Sequence, residues 1–133
     1  MHGRTAWGLR TIRDRPGYGA AMVPELDVHR VLRWAGGHNH PDHLRELRIE
    51  VDVAPTSITV MECRPPWEPD AINTDWIRFP IARLRFVASK KQWSLYWRDR
   101  NLAFHQYERV PPTMAIEELL AEIDLDPIGI FWG

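Results

Sequence analysis

Residues 76–107, WIRFPIARLRFVASKKQWSLYWRDRNLAFHQY, decide the fold. With Lys90-Lys91 as a two-residue hairpin loop, Ala88 opposes Trp93, Phe86 opposes Leu95 and Leu84 opposes Trp97. With Asp99-Arg100 as a second loop, Trp97 opposes Leu102 and Leu95 opposes Phe104. Side chains alternate between the faces of a strand, so both registers gather apolar groups on one shared face. The aromatic and β-branched content also favours strands. Neither loop holds Asn-Gly or a comparable turn dipeptide, so either can differ by a residue, and a bulge can absorb an odd count.

The same arithmetic sets the opposite face. It holds Arg83, Arg85, Val87, Ser94, Tyr96, Arg98, Ala103, His105 and Tyr107. Arginines, phenols and an imidazole on neighbouring strands form a candidate binding surface: Arg83, Arg85, Tyr96, Arg98, His105 and Tyr107. The plainer reading is the wet side of a half-solvated antiparallel sheet. Upstream, Ile77, Phe79 and Ile81 alternate on the other parity from Leu84 and Phe86, so the phase must change near Ala82. Pro80 lacks a ladder donor, which makes this part an edge or a bulge.

The chain of 133 residues is the size of one domain. Such a domain buries roughly two-thirds of its unfolded surface, enough for a core without staples. Seven tryptophans make that core heavy. Cys63 is the one cysteine, which excludes an internal disulfide and any cysteine-based zinc site. No apolar run approaches the roughly 18 residues of a membrane span, and no signal-peptide core is present, so the expected compartment is the cytoplasm. Net charge is −1, but residues 78–109 carry +6 and residues 110–133 carry −5. Either the acidic C-terminal helix neutralises the basic sheet, or the sheet faces an anionic partner.

Residues 1–23 are rich in Arg and Gly with little periodicity, and read as a flexible N-terminal arm. Met22 offers an alternative start for the chain; a basic arm touching nucleic acid is the other reading. Residues 24–133 read as a single α+β domain. Pro24 suits a first helical turn, and Val28, Val31, Leu32 and Ala35 mark one helical face ending at Gly36-Gly37. His38, His40 and His43 beside Asp42 match no zinc spacing, so a solvated loop with a short turn after Pro41 is expected, and no metal. Leu47, Ile49, Val51 and Val53 alternate with charged residues as a half-buried strand. After a turn, Ile58 and Val60 continue that apolar face opposite Val53 and Val51, and Glu62 comes next. An inward carboxylate needs a partner, and Arg64 or a meander arginine can supply one.

Asp52 with Glu62-Cys63-Arg64 faintly resembles the two carboxylates and lysine of metal-dependent nucleases. Arginine keeps its proton, and Asp52 and Glu62 point to opposite faces, so that reading fails twice. The proline-rich run from Arg64 to Pro69 is a rigid connection, with Trp67 packing over the sheet edge. Because scaffolded loops often carry function, Glu62, Arg64 and Trp67 are secondary candidates. Pro111-Pro112 ends the meander, Thr113 is the expected N-cap, and Ile116, Leu119, Leu120 and Ile123 stripe a helix over 114–124. Asp126-Pro127 ends it, and the apolar terminus should dock on the core. No glycine-rich phosphate loop or nucleophile motif occurs, and no cofactor is expected.

The runs VMECRPPW, RFPIARLRF, LYWRDRNLAFHQY and LLAEIDLDPIGIFWG resemble a bacterial, mainly actinobacterial family known only as a domain of unknown function. The resemblance covers about residues 24–133. It implies a small cytoplasmic protein with no assigned activity, and a start near the PELD segment. The histidine-rich loop is not part of that family's pattern, and no catalytic residue carries over.

The expected architecture is α-β-β-β-β-β-α: a five-stranded, mainly antiparallel sheet with both helices on one face. The leading functional expectation is a module binding single-stranded nucleic acid, with arginines on phosphates and Tyr96, Tyr107 or His105 stacking on bases. A second is a homodimer or other protein-interaction module, paired through the aromatic face or the edge near Pro80. A third is a metal-independent, toxin-like ribonuclease, with His105 as acid or base and Arg83, Arg85 and Arg98 steadying the phosphorane.

Overall fold

The computed structural model describes residues 22–66 and 75–132. The readings of residues 1–21 and of Trp67 lie outside the described residues. The element order is α1 (Glu25–Gly37), a 3-10 turn (Pro41–His43), β1 (Arg48–Val53), β2 (Ser57–Arg64), β3 (Ile77–Val87), β4 (Gln92–Arg98), β5 (Phe104–Gln106) and α2 (Ile116–Leu125). The strands form one antiparallel sheet in the order β1-β2-β3-β4-β5. Both helices lie on one face of it, α1 against β1 and α2 against β4. This is the α+β architecture the alternation implied.

The helices form where the apolar spacing places them. α1 buries Val28, Val31 and Ala35, and α2 buries Ile116, Leu119, Leu120 and Ile123. One feature had no sequence signal. Asp27 in α1 is also buried, at 7% exposure. Its carboxylate accepts the indole N–H of Trp93 at 2.8 Å and a guanidinium N–H of Arg30 at 2.7 Å. A buried carboxylate is tolerable only with such donors, and here the Trp93 indole ties α1 to β4.

Thr113 is not the N-cap of α2; that position is Ala115. Thr113 instead pairs backbone to backbone with Trp93, while its hydroxyl accepts the Ala115 N–H at 3.0 Å. The helix ends at Asp126, whose left-handed backbone (φ 41°) breaks the ladder. The Asp126 carboxylate then accepts the N–H groups of Ile130, Phe131 and Trp132. That clamp seats the terminal segment, and Phe131 is buried at 4% exposure.

The β1–β2 register is the one the apolar pattern implied: Val53 opposes Ile58, Val51 opposes Val60, and Ile49 opposes Glu62. The Asn39 amide both donates to and accepts from the Ile49 backbone, occupying one rung of the outer edge of β1. The phase change in β3 is a bulge: Val60 opposes Ala82 while Met61 opposes Pro80, so Ile81 is the extra residue. Ile81 and Ala82 are therefore buried side by side.

Both loops of the meander are longer than two residues. In the first hairpin, Ala88 to Lys91 form the loop, and Phe86 opposes Trp93 while Leu84 opposes Leu95. The register moves by two, so every side chain keeps its expected face. In the second, the loop runs over residues 99–103, and Arg98 opposes Phe104, Trp97 opposes His105 and Tyr96 opposes Gln106. The Asp99 carboxylate stabilises it by accepting the N–H groups of Asn101 and Ala103, and Leu102 adopts a left-handed φ of 68°. This shift is odd, so it turns β5 over. Leu102, expected in the core, is 58% exposed.

Candidate nucleic-acid interface

The sheet face turned away from the helices carries Arg83 and Arg85 from β3 and Tyr96 and Arg98 from β4, as the alternation required. Arg83 sits directly between Thr59 of β2 and Tyr96 of β4, and Arg85 between Ser57 and Ser94. The inverted β5 adds Phe104 to this face instead of His105. Arg83 lies over the Phe104 ring, 4.0 Å from its centre, and its Nε donates to the Thr59 hydroxyl at 2.9 Å. Those two contacts orient the guanidinium without neutralising it.

Arg83, Arg85 and Arg98 make no ion pair among the described residues. Arg98 donates to the Pro80 carbonyl and, at 3.0 Å, to the Asp99 carbonyl, so it also fastens the end of β4 to the β3 bulge. The acidic α2 packs on the other side of the sheet and does not shield these arginines. Arg83, Arg85, Tyr96 and Phe104 together with Thr56 and Ser57 line a surface cavity of about 250 Å³.

Two expected members belong elsewhere. Tyr107 is buried at 2% exposure on the helix side, its ring 5.1 Å from Phe131 and its hydroxyl donating to Glu122 at 2.7 Å. Burial, with the Glu122 carboxylate beside it, pushes its pKa up to about 12. His105 faces the helix side with Trp97, their rings 4.9 Å apart, and its Nε2 lies 2.6 Å from Asp99 Oδ2. That imidazole and two backbone N–H groups hold the Asp99 carboxyl below the ordinary carboxylate range. The ribonuclease constellation is therefore not assembled, because a sheet separates His105 from Arg83 and Arg85.

Of the secondary candidates, Glu62 pairs with Arg64 at 2.9 Å, as an inward carboxylate near the sheet end requires. Asp52 and Glu62 lie on opposite faces, which leaves no nuclease-like carboxylate pair. Phe104, Thr56 and Ser57 were not singled out from sequence. Their only signal was alternation, and for Phe104 that depended on a loop length the sequence did not reveal. Cys63, between Arg48 and Arg78 on the same face, is fully buried. Burial, then the nearby Glu50 charge, pushes its thiol pKa up to about 12. Among the described residues, no group of three or more His, Cys, Asp or Glu lies together as metal ligands would, and no helix is long and apolar enough to cross a membrane.

Fold and face together define a small α+β domain with one helix-covered side and one open side of arginine and aromatic groups. The chain belongs to the family described as Domain of unknown function (DUF3024), whose model matches residues 21–133. Searches of curated proteins and of solved structures each found no match.

Proposed function

We propose that this domain binds single-stranded nucleic acid across its open sheet face, in a bacterial cytoplasm. The observation that carries the reading is the set of arginines beside Tyr96 and Phe104 that make no ion pair among the described residues, with Arg83 held over the Phe104 ring. Guanidinium groups meet phosphates and aromatic faces accept bases, the combination that single-strand binders use. An open sheet face suits an extended single strand, whose bases can be splayed out on it. With His105 on the other face, the reading is of binding and not of cleavage by that histidine.

The test is fluorescence anisotropy with a mixed-sequence single-stranded oligonucleotide across a salt series. Affinity should fall steeply as salt rises, because phosphate contacts release counterions. Arg83→Ala with Arg85→Ala should flatten that slope by about two phosphate contacts' worth. No binding at low salt ends the proposal.

A second reading is self-association near Pro80. Ile77 and Phe79, each 42% exposed, extend β3 past the end of β4. Light scattering separates the two: a monomer at high concentration removes the second.

A further inference from the structure

We propose that the cavity beneath Arg83 and Arg85 seats a terminal phosphomonoester, so that the domain recognises the phosphorylated end of a nucleic-acid strand. The proposal rests on the nucleic-acid reading above and names the part of the ligand that it would hold.

Arg83 commits its Nε to Thr59 and its ring-facing side to Phe104, while its terminal amino groups have no protein acceptor among the described residues. Arg85, two positions along the same face, is exposed and makes no hydrogen bond or ion pair there. Thr56, Ser57 and Tyr96 also line it, and no carboxylate among the described residues does. Two guanidinium groups carry more positive charge than the single negative charge of an internal phosphodiester offsets. A phosphomonoester brings three acceptor oxygens and a charge of about −1.5 to −2 near neutral pH. Planar guanidinium groups are the side chains best shaped to grip it.

Size and placement agree. The 250 Å³ cavity equals the liquid volume of about eight waters, at ~30 Å³ each. That is room for one phosphate and part of its sugar. The cavity is closed at one side by the β1–β2 turn, where the Thr56 carbonyl accepts the Phe86 N–H at 2.9 Å. From there the sheet face continues past Tyr96 toward Arg98, along which the rest of the strand can lie.

The experiment compares anisotropy of one short single-stranded sequence in three forms: 5′-phosphate, 3′-phosphate and both ends hydroxyl, each labelled at an internal base. The full chain should bind one or both phosphorylated forms at least about tenfold more tightly than the hydroxyl form. Which form gains tells which end is held. Arg85→Ala, a change at an exposed side chain, should erase that preference while leaving weaker binding of all three. Ser57→Ala should reduce it, and inorganic phosphate at constant ionic strength should compete more strongly against the phosphorylated forms than against the hydroxyl form. Equal affinity for all three forms overturns the phosphomonoester seat and leaves the sheet-face reading standing. A preference that survives Arg85→Ala in a natively folded variant also overturns it. Absence of binding by every form overturns both.

Discussion

The guanidinium of Arg83 lies over the ring of Phe104, 4.0 Å from its centre, although the two residues come from strands separated by β4. This contact makes Phe104, and not His105, the aromatic neighbour of the arginine face. Phe104→Ala should therefore weaken oligonucleotide binding about two- to fivefold, the value of an exposed cation–π contact that holds Arg83 in place. His105→Ala should leave affinity unchanged. Anisotropy titrations of the two variants check this, and equal losses in both would contradict the assignment of faces.

Asp27 and Trp93 should be thermodynamically coupled. Asp27→Ala leaves a buried indole N–H without an acceptor, which costs about 1–3 kcal/mol. Trp93→Phe removes the donor and leaves Asp27 with Arg30. Urea unfolding of both single variants and the double variant gives the coupling energy, expected at about 0.5–3 kcal/mol. Strict additivity would mean that the pair acts independently.

The Tyr107 phenol has a clear alkaline signature. Its pKa rises from 10.0 unfolded to about 12 folded, through burial first and then the Glu122 hydrogen bond. Because the folded value is the higher one, its contribution to stability is complete below pH 10 and declines as pH rises toward 12. Spectrophotometric titration should show a tyrosinate step near pH 12 that Tyr107→Phe removes. Stability measured over that range should fall less in Tyr107→Phe than in the parent.

The Asp99 carboxyl moves the other way. His105 lowers its pKa most, followed by the Ala103 N–H, with the Asn101 N–H adding to it. Its contribution is present above its ordinary 3.8 and is lost as pH falls through the lower folded value. In a carboxyl-carbon NMR titration, His105→Ala should shift the Asp99 midpoint upward. An unchanged midpoint would mean that the imidazole does not stabilise the carboxylate.

Cys63 should be chemically silent in the folded protein. Its thiol is buried and its pKa raised to about 12, so almost no thiolate forms at neutral pH. Reaction with a chromogenic disulfide reagent should proceed only as fast as the domain opens, and denaturant should accelerate it by orders of magnitude. Rapid labelling of native protein would show that the β1–β2–β3 end of the sheet opens locally.

Local alternation was enough to locate most of this molecule. The β1–β2 register, the phase change at Ile81 and Ala82, both helix stripes and the face of Arg83, Arg85 and Tyr96 follow from apolar spacing. The reason is that burial sorts side chains with a period of two or 3.6, and in these segments the apolar residues keep to one parity or stripe, switching once at the β3 bulge. The first hairpin tolerated a wrong loop length because the error was even.

β5 was different, since aromatic residues stand on both parities there: Phe104 on one, His105 and Tyr107 on the other. Its orientation depended on a five-residue loop held by the Asp99 carboxylate, whose hydrogen bonds have no counterpart in hydrophobic pattern. The burial of Asp27 was likewise settled 66 positions away, by the indole of Trp93. Spacing along the chain determined which residues seek the core; only packing in three dimensions decided which polar groups find partners inside it and which strand turns its phenylalanine toward the arginines.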